Sequence, residues 1–384
     1  DHPETAYSLT NLAGLYQDKA SYKKAESLLL KALKIIEKNF GPDHPEISLV
    51  LNELGLFYES QSLFKKAETL YLKSLDIDKK TFGPDHPYIA RTLRSLGGIY
   101  FIQNSYNKAE DLFIKALNIN EKKLREGHPE IANNLYDLSD LYLEMGSLNK
   151  SEVFIKRAIR LDKQNYDKMN PELAKSLEQL GAIYLKQGLF NKAEEQYNLA
   201  LEINKKIFGN EHPNVADILD RLATVYELNG YFNKAESLHL KALKINEEIF
   251  GKYHQVTAST INNLASSYIN QGLFIKAEPF LLRALKITEK TWGDYHSSIS
   301  TIKNNLGMVY TNKREYKKAE KYFLSSLDID KKIFGPNHQL TAATYSNLAL
   351  LYEKQGLYLK AKPIAKKAIE IQLLSIQNEA PLMT

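Results

Sequence analysis

The chain has 384 residues, of which 43% are hydrophobic and 25% are charged, a composition typical of a soluble protein with a large core. Its 51 basic and 46 acidic residues leave a net charge of +5, a balance too even for a nucleic-acid binder. No apolar run reaches the roughly 18 residues that a membrane-spanning helix needs. The lack of cysteine excludes disulfides and thiolate metal sites.

A 42-residue period organises the sequence. One tyrosine marks it without a slip, at Tyr16, Tyr58, Tyr100, Tyr142, Tyr184, Tyr226, Tyr268, Tyr310 and Tyr352. We therefore predict a single array over 1–378, followed by a short tail at 379–384. The predicted repeats are 1–42, 43–84, 85–126, 127–168, 169–210, 211–252, 253–294, 295–336 and 337–378.

Each unit carries two helical patterns. Leu9, Leu12, Ala13 and Tyr16 fall at i, i+3, i+4 and i+7, which predicts one amphipathic helix. The apolar positions within 25–36 predict a second helix that is buried on more than one side. A hairpin of two such helices cannot bury both faces alone and must stack on its neighbours. The predicted fold is all-α, an α-solenoid of nine helix-turn-helix repeats.

The break between the two helices often holds glycine, at Gly146, Gly188, Gly230, Gly272 and Gly356. Glycine suits the left-handed backbone that ends many helices. In the same slot Asn104 tolerates this conformation, whereas Arg314 does so less readily.

A histidine recurs at the start of most units, at His2, His44, His86, His128, His212, His254, His296 and His338. A repeated catalytic or metal site is one interpretation, and a helix cap is the other. Proline follows several copies, which suits the first turn of a helix. The fifth unit has Asn170 in this slot, a strong cap but a poor ligand. We predict N-caps, with Asp43 as an alternative cap three residues before Glu46.

The pattern L-A-x2-Y at Leu12–Tyr16, followed by Ala25 and Ala32, resembles the tetratricopeptide repeat. The 42-residue spacing, the "FGPDHP" boundary and "NNLA" at Asn262–Ala265 resemble the kinesin-light-chain subtype. The resemblance implies a right-handed superhelix whose first helices line a concave, partner-binding groove, in a cytoplasmic protein. Departures from the motif are Lys303, His239 and Ala365, which stand where most repeats are apolar or larger.

First-helix residues outside the apolar stripe are the candidates for partner binding, and they form three zones along the chain. The third unit offers a basic patch with an aromatic side chain, Arg91, Arg94 and Phe101. The middle is mainly acidic, with Asp140, Glu144, Glu178, Asp217, Asp220 and Glu227 beside Lys175 and Lys186. The last three units are rich in amides, with Asn262, Asn263, Asn270, Asn304, Asn305, Asn312 and Asn347.

An amide supplies both donors and an acceptor, so a ladder of them can pair with an extended backbone. The resemblance to kinesin light chains implies this role for the matching asparagines Asn263, Asn305 and Asn347. Asn11 matches as well, but other residues replace the asparagine in the intervening units, namely Glu53, Ser95, Asp137, Gln179 and Arg221. An amide clamp is therefore predicted for the C-terminal repeats only.

No nucleotide-binding, hydrolase or zinc-protease motif occurs, so we predict no enzyme, no cofactor and no metal site. The predicted function is a non-catalytic scaffold that binds a partner peptide or helix, with no nucleic acid and no membrane insertion. The alternative is a sensor or regulatory arm of a larger signalling enzyme, such as a protease or NTPase. The chain begins on a repeat boundary without an initiator methionine, which is consistent with other domains in a larger parent chain.

Overall fold

The computed structural model describes residues 2–19, 21–165 and 170–379, and within these ranges it contains eighteen helices and no strand. The chain divides into two compact units, Asp1–Leu141 and Tyr142–Thr384. Within each unit, first helices pack against the second helices that follow them and form helical hairpins. Whether all repeats form the one array of 1–378 stays a prediction.

The first helices of the hairpins are α1 Pro3–Asp18, α3 Pro45–Ser60, α5 Pro87–Ile102, α7 Pro129–Glu144, α9 Pro171–Lys186, α11 Pro213–Leu228, α13 Gln255–Asn270, α15 Ser297–Asn312 and α17 Gln339–Lys354. The second helices are α2 Tyr22–Phe40, α4 Phe64–Phe82, α6 Tyr106–Lys123, α8 Leu148–Asn165, α10 Phe190–Phe208, α12 Phe232–Phe250, α14 Phe274–Trp292, α16 Tyr316–Ile333 and α18 Tyr358–Glu379. None of the described helices is long and apolar enough to cross a membrane.

The recurring histidines cap the first helices. In each capped helix the ring Nδ1 accepts a hydrogen bond from the backbone N–H two residues later, as from His44 to Glu46 at 3.2 Å. Asn170 does the same work with its side-chain oxygen, 2.7 Å from the N–H of Leu173. The cap prediction is confirmed, and it is the histidine of the second repeat that caps α3, not Asp43.

Most of these caps also stack on an aromatic ring at the end of the preceding second helix. Phe82 lies 4.6 Å from His86 between ring centroids, and Trp292 lies 4.3 Å from His296. Because the stacked rings belong to consecutive repeats, the boundary loop joins one hairpin to the next through side chains as well as through the backbone.

In the hairpins whose turn residue lies in the described ranges, the turn takes the left-handed conformation that the sequence predicts. Gly188, Gly230 and Gly272 have positive φ, and so do the non-glycine residues Asn104 and Arg314 in the same slot. Arg314 has φ +62°, a conformation that costs an L-residue roughly 1–2 kcal/mol.

A close approach inside the hairpin couples one small residue to one aromatic ring. A Cβ on Gly97 would lie 2.5 Å from the ring of Phe113, and one on Gly181 would lie 2.9 Å from Tyr197. Where the slot of Phe113 holds no aromatic ring, as at His239, the slot of Gly97 holds alanine or serine. The two positions therefore vary together because they share one volume.

Candidate functional site

Consecutive first helices are joined by a diagonal side-chain pair that recurs along the C-terminal unit. Position 10 of one repeat bonds to position 11 of the next, 43 residues further on. The Nδ2 of Asn305 donates to Asn262 Oδ1 at 3.0 Å, and that of Asn347 donates to Asn304 Oδ1 at 3.2 Å. We call these two bonds the amide rungs.

Each amide rung keeps hydrogen-bonding capacity. The first member, Asn262 or Asn304, accepts through its carbonyl oxygen, and its amide N–H groups have no partner among the described residues. Asn347 uses its amide nitrogen and keeps its carbonyl oxygen. Asn305 is only 8% exposed and also donates to Ser266 of the preceding repeat at 3.2 Å, so it connects adjacent repeats.

The remaining predicted asparagines differ in how they are held. Asn263 is exposed and donates to Asp220 Oδ2 at 3.2 Å, in the same diagonal register as the amide rungs. Asn270 donates to Glu227 at 2.9 Å, also in the preceding repeat. Asn312 is exposed and bonds to the carbonyl of Met308 in its own helix at 2.9 Å, so it joins no neighbouring helix.

In the N-terminal unit the structure brings Arg91, Arg94 and Phe101 together around a pocket of about 330 Å³. Both guanidinium groups are paired with carboxylates. Arg91 lies 2.9 Å from Glu53, and Arg94 lies 2.5 Å from Asp137. Burial opposes the charged form of Arg94, but its carboxylate neighbours prevail and raise its pKa. The basic patch that the sequence predicts is therefore balanced by acids of adjacent repeats.

The acidic middle zone contains carboxyl groups whose pKa is raised by partial removal from solvent. Burial raises the pKa of Glu178 to about 7, although Arg221 lies 3.2 Å away and opposes the shift. The pKa of Asp217 is raised by its enclosure among neighbouring groups and then by the charge of Asp220, even though part of its side chain reaches solvent. Lys186 lies 2.9 Å from Glu144 and neutralises that acid.

His239 contacts the acidic middle zone, and the sequence does not reveal its role. It lies in the second helix α12, is 2% exposed, and its Nδ1 is 2.8 Å from Asp220 Oδ1. Its Nε2 is buried without a hydrogen-bond partner. In the sequence, His239 is marked only by its slot, which holds an apolar or aromatic residue in the other repeats.

No group of three or more His, Cys, Asp or Glu side chains within residues 2–19, 21–165 and 170–379 is placed to hold a metal ion.

The model of the tetratricopeptide repeat matches residues 4–80, 46–122, 94–164, 172–248, 218–290 and 298–373, which together cover most of the sequence. The chain belongs to the tetratricopeptide-repeat family. Its helical hairpins carry the features of tetratricopeptide repeats, including small residues between helices and one recurring tyrosine in each repeat. A search of curated proteins found no match for this sequence.

Solved structures of several proteins are similar to this tetratricopeptide chain. A Rap protein complexed with Competence and Sporulation Factor has 15% identity and a TM-score of 0.64, covering 98% of this chain and 99% of that one. The quorum sensor NprR of B. thuringiensis, in its apo form, has 14% identity and a TM-score of 0.59, covering 97% and 100%. TPR-like repeats ascribed to a kinesin light chain of Podosopora anserina have 22% identity and a TM-score of 0.44, covering 54% and 99%.

Proposed function

We propose that this chain is a non-catalytic scaffold that binds an extended partner peptide, or a helix, along its first helices. The observation that carries the proposal is the pair of amide rungs. Each rung joins two repeats and still keeps amide N–H groups on its first member. Backbone N–H and C=O groups of a peptide are complementary to such amides, whatever its side chains are.

Several features support a protein partner. The tetratricopeptide family resemblance implies a groove lined by first helices, and the Rap structure was solved with Competence and Sporulation Factor bound. The candidate binding residues of the last three repeats are uncharged amides, which suit a backbone better than a polyanion such as nucleic acid. No contact in the described part of the chain favours the alternative of a sensor arm over a scaffold.

The test uses peptides selected by the purified chain from a displayed library of random 12-residue sequences. Their affinities are compared between the wild type and the variant Asn263→Ala/Asn304→Ala/Asn347→Ala, which avoids the buried Asn305. The control variant is Asn191→Ala/Asn198→Ala/Asn233→Ala, which removes exposed asparagines of the second helices α10 and α12.

Losing two or three peptide hydrogen bonds of about 1 kcal/mol each predicts a weakening of tenfold or more for the first-helix variant. The control variant keeps the wild-type affinity. If the selected peptides bind both variants as they bind the wild type, or if no peptide is selected at all, the proposal is wrong.

A further inference from the structure

A pocket of about 510 Å³ lies among α11, α12 and α13 in the C-terminal unit. Its wall includes Asp217, Asp220 and Glu227 from α11, His239 from α12 and Asn263 from α13. Arg221 also lines it, but this guanidinium is 3.2 Å from Glu178. The carboxylates therefore outnumber the cations in the pocket.

A buried histidine, His239, distinguishes this pocket from an ordinary cluster of acidic surface residues. It fills a core slot that holds Leu281 and Phe323 in the next two repeats, and only 2% of it is exposed. Nδ1 faces the carboxylate of Asp220, which can only accept, so this nitrogen carries the hydrogen. In the neutral ring Nε2 is then a bare acceptor, and it is buried in the pocket wall without a partner.

The wall offers further acceptors, beside the guanidinium, hydroxyl and amide donors that also line it. The two carboxylate oxygens of Asp220 each receive one hydrogen bond, from His239 and from Asn263, and a carboxylate oxygen can accept more than one. Asn263 donates through its amide nitrogen and keeps its carbonyl oxygen as an acceptor. Glu227 accepts from Asn270 at 2.9 Å and keeps its second oxygen. A ligand that suits this wall must carry several donors and a positive charge.

We propose that this pocket receives a cationic side chain, preferably arginine, from the peptide bound along the first helices. The planar guanidinium has five N–H donors in a fixed fork and accepts from none, so it matches a wall of carboxylate, imidazole and amide acceptors. The raised pKa of Asp217, caused by its enclosure and then by the charge of Asp220, is in keeping with unneutralised negative charge there. This inference rests on the proposed peptide-binding function and adds the residue that the peptide must contain.

The experiment compares two random 12-residue libraries that differ at one fixed central position, arginine in one and its neutral isostere citrulline in the other. Fluorescence anisotropy measures the binding of each pool to the wild type, to Asp217→Asn/Glu227→Gln and to His239→Leu. The matched control is Glu195→Gln/Glu202→Gln, two exposed acids of the second helix α10.

For the wild type and the control we expect the arginine pool to bind about tenfold more tightly, the value of one charge-assisted hydrogen-bonded pair. In Asp217→Asn/Glu227→Gln the preference falls below about twofold while citrulline binding stays unchanged. His239→Leu restores the apolar residue of the repeat and weakens the preference without loss of folding, as checked by circular dichroism.

Equal binding of the two pools by the wild type refutes the arginine pocket and leaves the proposed function standing. A preference that survives in both pocket variants also refutes it, because the cation then binds elsewhere. Tighter binding of spermidine than of the arginine pool would refute a peptide as the source of the cation. If neither pool binds, both this inference and the proposed function are wrong.

Discussion

The hydroxyl of Tyr268 donates a hydrogen bond of 2.7 Å to Glu236, a residue of the preceding repeat. The same bond joins Tyr58 to Glu26 and Tyr310 to Glu278. From its own repeat, the ammonium group of Lys276 lies 5.3 Å from the centre of the Tyr268 ring. The tyrosine that marks the period therefore connects adjacent repeats through its hydroxyl, in addition to packing inside its own hairpin.

Tyr268→Phe removes this bond but keeps the ring. We expect it to lower the free energy of unfolding by about 1–2 kcal/mol, because the acceptor is a carboxylate. Urea denaturation followed by circular dichroism measures the change. Tyr253→Phe is the control, since Tyr253 is 78% exposed. Equal effects of the two substitutions would show that the hydroxyl bond does not stabilise the array.

The neighbouring glycines Gly97 and Gly98 provide a matched test of the core. A Cβ on Gly97 would lie 2.5 Å from the ring of Phe113, whereas one on Gly98 would meet only the carboxylate of Glu59 at 3.9 Å. Gly97→Ala should therefore destabilise the protein by about 1–3 kcal/mol through overpacking. Gly98→Ala should stabilise it by about 0.5–1 kcal/mol through helix propensity.

Thermal unfolding of the two glycine variants gives opposite shifts in Tm if this account holds. Adding Phe113→Leu to Gly97→Ala should recover part of the loss, because leucine leaves room for the new methyl group. A loss of the same size for Gly98→Ala would mean that the ring contact is not the cause.

Two substitutions at His86 separate its cap from its stack. The ring accepts from the N–H of Tyr88 at 3.3 Å and stacks on Phe82. His86→Asn keeps an acceptor and loses a stack worth about 0.5–1.5 kcal/mol. His86→Ala also loses the cap, a further cost of about 1 kcal/mol. The expected order of Tm is wild type, then asparagine, then alanine, and EDTA should leave all three unchanged. A Tm that falls on adding EDTA would indicate a metal role for the histidine.

Glu178 makes stability depend on pH. Its pKa is raised by burial to about 7 from an ordinary value of 4.5, so the folded state favours the protonated form. The stability that the protonated Glu178 carboxyl group contributes is fully present below pH 4.5 and is lost as the pH rises through about 7. Glu178→Gln, which cannot ionise, should gain stability relative to the wild type over that interval, by roughly 1–3 kcal/mol at pH 8.

Thermal unfolding of both proteins at pH 5, 6, 7 and 8 checks this prediction. The difference in Tm between Glu178→Gln and the wild type should grow up to about pH 7 and then level off. A constant difference, or a wild type that gains on the variant as the pH rises, would contradict the raised pKa.

Much of the fold could be predicted from the sequence because its determinants are local. The helix caps depend on residues within three positions, as with Asn170 and Leu173, and the left-handed turn depends on a single slot. The coupling of Gly97 to Phe113 was also present in the sequence as two positions that vary together. It is recognised only when the volume they share is seen.

The side-chain pairs of the first-helix face could not be predicted in the same way. Their register depends on how far one first helix is displaced along the next, a distance that the 42-residue period does not fix. The bond from Asn305 to Asn262 spans 43 residues, and that from Arg91 to Glu53 spans 38. Arg94 consequently looked like part of a free basic patch although Asp137 neutralises it.

The most direct measurement of partner binding is the position of a bound peptide. A library-selected peptide with a photo-crosslinking residue at each position in turn is irradiated with the protein, and the crosslinked residues are identified by mass spectrometry. Our account predicts crosslinks on the first helices α13, α15 and α17, near Asn263, Asn304 and Asn347. Crosslinks confined to the second helices α14, α16 and α18 would contradict it.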